Sequence, residues 1–510
     1  MFVTSNAPPP SPAQDPAPGS ANGASTNGYP DNIDAAVLKI AGVVVLGAIM
    51  SILDITVVNV ALPTFQTEFG TPGDPVSYAH VAWTVTGYTL ALATVIPLSG
   101  WAADRFGTKR LYIGAIALFT AGSALCATAW DINILILFRV LQGLGGGMLM
   151  PVGMTIMTRA AGPHRMGRLM AILGVPMLLG PILGPIIGGW LIDAASWHWI
   201  FLINVPLGIG AIVYAAIVLP KDSPEPSESF DFLGMALMSP GLALFLFGVS
   251  SIPGEGTVTA PRVWVSMLIG AALIIAFVFH SFRPEHPLLD LRLFADRRLT
   301  VSIITMFMFA AAFFGGLLLV PTYFQEIRGE SALDAGLLVA AQGIGAMLTM
   351  PIAGALSDRL PIGRIVPVGL VVILIGMFGL TQVTDTTAYL YLEVALIIMG
   401  LGMGGTMMPL FTSALRNLKE QQVARGSTLL NITQQIASSV GVAVMSVLLT
   451  NHLQSATTPA EAGEAFADTF WVAWVLVALT LIPAFMLPMR KEKADDDATS
   501  GSEAPAVPLH

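Results

Sequence analysis

Apolar runs of about twenty residues recur along this chain, each long enough to cross a hydrocarbon core of ~30 Å as a helix. No other feature limits the possible folds as strongly. We count fourteen such runs, at about 36–62, 79–101, 110–130, 132–158, 167–192, 199–219, 232–251, 262–282, 299–323, 333–357, 363–384, 387–413, 427–450 and 468–489. Backbone in lipid must satisfy its own hydrogen bonds, so runs of this length fold as helices. The expected fold class is all-α, a polytopic membrane protein with 14 transmembrane helices. Composition agrees: 55% of the residues are hydrophobic and 11% charged, with mean hydropathy +0.75, outside the soluble range. The limits of the seventh and eighth runs are the least sharp, because Pro240 interrupts one and their connection is short.

Lys and Arg orient the runs, since they collect in cytoplasmic loops. Alternate connections hold Arg105, Lys109 and Arg110, then Arg159, Arg165 and Arg168, then Lys221, then Arg283, Arg292, Arg297 and Arg298, then Arg359 and Arg364, then Arg416, Lys419 and Arg425. The opposite loops carry only Arg262 and Arg328, and Arg490, Lys491 and Lys493 follow the last run. Both termini are therefore expected in the cytoplasm of a multi-pass protein of the plasma (inner) membrane. Trp130, Trp190, Trp197, Trp199, Trp471 and Trp474 fall near outer ends, where amphipathic rings are favoured. Residues 1–35 are rich in Pro, Ser, Ala, Asn and Gly, with no Lys or Arg, and read as a disordered cytoplasmic tail, as do residues 490–510. Cys126 is the one cysteine, so thiols build neither a disulfide framework nor a metal cluster.

Two opposite charges interrupt the apolar pattern. Asp54 lies in the first run and Arg139 in the fourth, and a lone charge at such depth costs at least ~2.5–3.5 kcal/mol. Counted from the run ends, both sit ~12–14 Å from one face, so they can pair if their helices are neighbours. A fixed ion pair that holds helices together and a pair with a transport role are both compatible with that depth.

The chain also repeats itself. Gly100-Trp-Ala-Ala-Asp104-Arg105-Phe-Gly107-Thr-Lys109-Arg110 recurs as Gly354-Ala-Leu-Ser-Asp358-Arg359-Leu-Pro-Ile-Gly363-Arg364. Gly143-Leu-Gly-Gly-Gly-Met-Leu-Met-Pro151 recurs as Gly400-Leu-Gly-Met-Gly-Gly-Thr-Met-Met-Pro409, and Pro63-Thr-Phe-Gln66 as Pro321-Thr-Tyr-Phe-Gln325. Each pair is eight runs apart. The simplest organisation is an N-terminal six-helix bundle over 36–219, a linker with two inserted helices over 220–298, and a C-terminal six-helix bundle over 299–489. Asp54 then corresponds to Ala312, and Arg139 to Leu396 or Ile397, so the charge pair belongs to one half. Scaffold symmetry does not account for it.

Four local patterns resemble the major facilitator superfamily, and in particular its fourteen-span multidrug/proton antiporter branch, the EmrB/QacA type. They are Leu53-Asp54-Ile-Thr56-Val-Val-Asn59-Val-Ala-Leu-Pro63; the loop from Gly100 to Arg110; Leu135-Ile-Leu-Phe-Arg139-Val-Leu-Gln142-Gly143; and Gly180-Pro-Ile-Leu-Gly184-Pro185-Ile-Ile-Gly188-Gly189. The resemblance implies a major-facilitator fold and a cytoplasmic latch at Gly100, Asp104, Arg105 and Gly107, intact in the outward-facing state. Asp358 and Arg359 repeat that latch, with Pro361 where Gly107 would fall. Through Gly180, Gly184, Pro185, Gly188 and Gly189 it also implies an exporter helix. Glycines four residues apart present a bare backbone for close packing, and Pro176, Pro181 and Pro185 remove backbone donors and bend the helix.

On this reading the protein is a secondary active transporter, a proton-coupled antiporter exporting hydrophobic or cationic drugs by alternating access around a midplane cavity. The proton gradient supplies the energy, with no cofactor. Asp54 is expected to carry the proton and Arg139 to tune it, with Ser51 and Gln142 on the same helix faces. Ser51, Gln142, Gln342, Glu393, Asn431, Gln434 and Gln435 are candidate substrate-cavity residues, and Met148, Met150, Met154, Met407 and Met408 offer polarisable surface. Helix-to-helix hydrogen bonding and plain packing explain these residues equally well. The expected partners are a small hydrophobic or cationic substrate, protons and the bilayer, without nucleic acid or nucleotide, and the chain is expected to be a monomer. Export of an endogenous lipid or metabolite fits the same motifs, and a non-transporting sensor or receptor fits the helices. No metal site or enzymatic activity is expected: all seven histidines lie in loops, tails or run ends, and there is no G-x-x-x-x-G-K-[ST] loop.

Overall fold

The computed structural model describes residues 35–71, 76–161, 166–222, 230–255, 259–415, 418, 420–454 and 456–489. The two tails expected to be disordered, apart from Ala35, lie outside the described residues. The helices are α1 Ala35–Glu68, α2 Tyr78–Val81, α3 Trp83–Phe106, α4 Thr108–Cys126, α5 Ile132–Ala161, α6 Met166–Ala194, α7 Trp199–Leu202, α8 Asn204–Val218, α9 Phe232–Glu255, α10 Pro261–Ser281, α11 Arg297–Glu326, α12 Ala332–Arg359, α13 Ile362–Leu380, α14 Tyr389–Gly404, α15 Met407–Leu415, α16 Glu420–Leu453 and α17 Pro459–Ala484. A short 3-10 turn, Leu291–Ala295, precedes α11.

Among the described residues, 12 helical segments are long and apolar enough to cross a membrane, taking α7 with α8 and α14 with α15 as single segments. The other long helices are α4 and α6. Helix α4 opens with Lys109 and Arg110 in its first turn, which lowers the hydropathy of its 19 residues. The twelfth run breaks at Gly405 and Thr406, within a glycine-rich stretch that holds a helix weakly. There Thr406 and the backbone of Gly405 crowd Gly369 of α13. The first run does not stop at Pro63; α1 continues through it to Glu68.

Helix packing follows the sequence repeat. In the N-terminal helices α1 packs on α6, α3 on α5, and α4 on α5 and α8; in the C-terminal helices α11 packs on α16, α12 on α14, and α13 on α14 and α17. Glycines set these approaches. A side chain on Gly143 would meet the Tyr88 carbonyl at 2.5 Å, and one on Gly147 the Leu92 carbonyl at the same distance. In the other group, a side chain on Gly400 would meet the Gln342 carbonyl. The two groups meet where α6 lies against α12 and where α16 lies against α3 and α5. Helix α9, packed on α10, covers the α3–α16 seam, with Leu242 and Leu246 clustered with Ile96 and Ile432.

Candidate functional site

Asp54 and Arg139 meet. α1 packs beside α5, and Arg139 Nη1 donates to Asp54 Oδ2 at 2.5 Å with neither side chain exposed. Such a pair persists out of water only when its remaining lone pairs and protons are also satisfied, and neighbouring helices do most of this. Gln142 Nε2 donates to Asp54 Oδ1 at 2.8 Å, while its Oε1 accepts from Arg139 Nη1 at 2.7 Å. Asn204 Nδ2 donates to Asp54 Oδ1 at 3.1 Å and to Ser123 Oγ at 3.1 Å. Arg139 Nε donates to the Thr84 carbonyl at 3.1 Å, and the guanidinium carbon lies 4.1 Å from the centre of the Tyr88 ring. One guanidinium nitrogen, Nη2, is buried without a described partner. Helices α1, α3, α4, α5 and α8 all contribute. The cluster therefore sits inside the N-terminal helices, away from the seam.

Gln142 was legible as the residue one turn from Arg139, but its place beside Asp54 was not. Ser51 and Gln142, expected at the substrate cavity, are buried here: Gln142 bridges the ion pair, and Ser51 Oγ lies 3.3 Å from the Tyr88 hydroxyl. Sequence reasoning missed Asn204, Ser123, Tyr88 and the Thr84 carbonyl. The available signal was an amide, Asn204, inside the otherwise apolar sixth run.

The matching family model is the Major Facilitator Superfamily, over residues 44–442. The chain belongs to this superfamily. It is 48% identical over 506 residues to the "Multidrug resistance protein B homolog" of Mycobacterium tuberculosis, covering 91% of this chain and 92% of that one. Among solved structures, the human organic anion transporter MFSD10 (TETRAN) aligns with TM-score 0.63 at 16% identity, over 88% of this chain and 100% of that one. The proton:xylose symporter XylE aligns with TM-score 0.59 at 14% identity, over 88% and 95%. This is a multi-pass membrane transporter with the all-helical major-facilitator fold, and it is not an enzyme.

With the superfamily established, the loop copies take on distinct geometry. Asp358 crosses the seam: its carboxylate accepts from Gly167 N at 2.9 Å and from Arg168 N and Nε at 3.4 and 3.2 Å, at the N-terminus of α6. Negative charge is favoured there. Asp104 lies 3.3 Å from Arg159 Nη2, and a side chain on Gly100 would stand 3.0 Å from Thr428 Oγ1 across the seam. Arg105 and Arg359 are exposed. Gly107 has φ +87°, and a side chain on it would run into Asp222. Asp222 accepts from the backbone of Lys109 and Arg110 at 2.9 and 3.0 Å, and Lys109 Nζ donates to the carbonyls of Ala216 and Leu219. That strap between the starts of α4 and the end of α8 was not anticipated.

Gly180, Gly184 and Gly188 face α1, where added side chains would meet Ile52, Thr56 and Val57; nothing lies near Gly189. Thr56 Oγ1 donates to the Gly180 carbonyl at 3.1 Å. The side chain of Pro185 lies outside the described residues. In the C-terminal helices, Gln342 is buried with its Oε1 unpartnered, Glu393 and Gln435 are half-buried, and Gln434 lines a cleft with Met306, Phe309 and Met407. Asn431 donates to the Ser427 carbonyl and reaches Met154 Sδ at 3.7 Å across the seam. No group of three or more His, Cys, Asp or Glu is placed to hold a metal ion among the described residues.

Proposed function

We propose that this transporter is a proton-coupled antiporter that exports hydrophobic or cationic compounds by rocking residues 36–219 against residues 299–489, with residues 220–298 as an inserted linker. The observation that carries the coupling is the Asp54–Arg139 pair, held by Gln142 and Asn204 in one helical group. Its counterparts in the repeat, Ala312 and Leu396 or Ile397, are apolar. Asp54 takes a proton in one state and loses it in the other; neutralising it frees Arg139, whose Nη2 has no partner among the described residues. The substrate class is inferred from the methionine-rich seam, where Met154 faces Asn431, and Met350 and Met408 approach Gly174. It also fits the multidrug name of the relative.

We further read all fourteen long helical segments as spans, both termini as cytoplasmic, and the functional unit as a monomer. Helix α4 supports that count. Glycine contacts run Gly143 to Tyr88 and Gly147 to Leu92, so α3 and α5 are parallel; Gly122 to Gln142 and Gly145 to Phe119 make α4 antiparallel to α5. α4 must therefore return through the same slab. On this orientation the Asp358–Arg168 and Gly100–Thr428 contacts lie at the cytoplasmic face, as in a transporter closed to the cytoplasm.

The test is transport in proteoliposomes under an imposed proton gradient. The native chain is expected to accumulate a lipophilic cation uphill, and Asp54→Asn to support at most downhill exchange. Uphill export by Asp54→Asn with native pH dependence overturns the coupling assignment.

A further inference from the structure

We propose that Asp54 exchanges its proton with the outer side through the interior of the N-terminal helices, along Asn204 and Ser123, by a route separate from the seam that carries substrate. This rests on the coupling reading above and adds the path. The partners described for Asp54 come from α5 and α8, both N-terminal helices, and its side chain has no exposure. A carboxylate that met its proton in the seam would have to leave these partners first.

The polar groups around it continue in one direction. Asn204 is the first residue of α8, Ser123 lies one turn before the end of α4, and Cys126 ends α4 with its Sγ 3.5 Å from Gln142 Oε1. All three stand toward the end of the bundle opposite the basic loops, the outer end on the reading above. Asn204 joins Asp54 to Ser123, and Ser123 Oγ donates to the Phe201 carbonyl at 2.9 Å. Beyond them stands an aromatic lid. Phe65 packs edge-on to Trp197 at 5.5 Å and stacks with Phe201 at 6.3 Å, and Phe201 lies 5.8 Å from the Arg139 guanidinium. His198, half-buried, stacks on Trp197 at 3.8 Å.

When the lid opens, water reaches Ser123 and Asn204. A hydronium ion there transfers its proton to the Asp54 carboxylate, leaving water and a neutral acid, and the release step returns that proton to water. Oδ1, the oxygen that Asn204 reaches, receives it as the amide turns aside, since Oδ2 is held by the Arg139 cation. The ionisable groups facing Asp54 are Arg139 from α5, Tyr88 from α3 and Cys126 from α4; α8 offers the neutral Asn204 amide. Asn204 is a positioning residue in this scheme.

Cys126, the one native cysteine, makes the route testable in the unmodified chain. A small membrane-impermeant methanethiosulfonate is applied to right-side-out and inside-out vesicles. Cys126 is expected to react from the outer side at least tenfold faster than from the inner side, and Trp197→Ala, or Trp197→Phe if the first folds poorly, to raise the outer rate further. An outer rate that does not exceed the inner rate, no reaction from either side, or an outer rate that neither Trp197 variant raises overturns the route. Asn204→Ala is expected to shift the midpoint of the pH profile of transport, with Asn204→Gln restoring part of the shift. A merely structural role would lower the amplitude and leave the midpoint in place, which also overturns the assignment. Uphill export by Asp54→Asn sinks the coupling reading itself, whatever the side from which Cys126 reacts.

Discussion

Arg139 is the largest of the fully buried side chains, and a guanidinium without water must find partners in protein. It finds them in Asp54, Gln142, the Thr84 carbonyl and the Tyr88 ring face. Breaking such a pair from one side strands the other charge, which costs about 3–5 kcal/mol. Arg139→Ala is therefore expected to lower Tm markedly, while Asp54→Asn combined with Arg139→Met recovers part of the loss without recovering proton-driven transport. An unchanged Tm for Arg139→Ala would remove the pair as a tie between helices. The two charges were legible because charge is rare in apolar runs and each could be counted from the end of its own run. Asn204 and Ser123 were not, because uncharged polar residues are common in membrane helices and become informative only when a third helix brings them to the carboxylate.

The approach of α6 to α1 is set by three glycines at four-residue spacing. A methyl group on Gly180 would lie 2.1 Å from Ile52 Cγ2, and one on Gly184 at 2.1 Å from Thr56 Oγ1. Gly180→Ala is expected to destabilise by about 1–3 kcal/mol through overpacking. Ile52→Ala, which removes the obstructing Cγ2, should recover much of the loss in the double variant. Additive losses in that cycle would show that the two side chains do not compete for one space. The glycine face itself was readable from spacing alone. Its partner was not, since the pattern marks a helix as closely packed without saying which neighbour packs on it.

At the basic end of the bundle Asp358 sits at the start of α6, an arrangement resembling a helix cap, whose removal costs about 0.5–2 kcal/mol; on the transport reading proposed above it holds that end closed. Asp358→Ala is thus expected to shift the balance several-fold toward the state open to the cytoplasm, seen as longer distances between spin labels at the inner ends of α6 and α12. An unchanged distance distribution would strip Asp358 of that part. The span count has its own check at this scale. A cysteine introduced at exposed Thr128, between α4 and α5, should react with impermeant reagents from outside, and one at Lys221 from inside; the reverse would overturn the orientation. Run length and internal repetition determined the helical fold and the two residues most worth attention, because lipid leaves an apolar chain few alternatives to helices, and four local motifs carried its resemblance to a known superfamily. Only the tertiary structure decided that the ion pair lies inside one helical group, that Asp358 of the second loop copy reaches the start of α6 across the seam, and that Asn204 joins the charge cluster. Those outcomes depend on which helices are neighbours and how they are rotated, and a one-dimensional pattern of apolar and polar residues does not encode either.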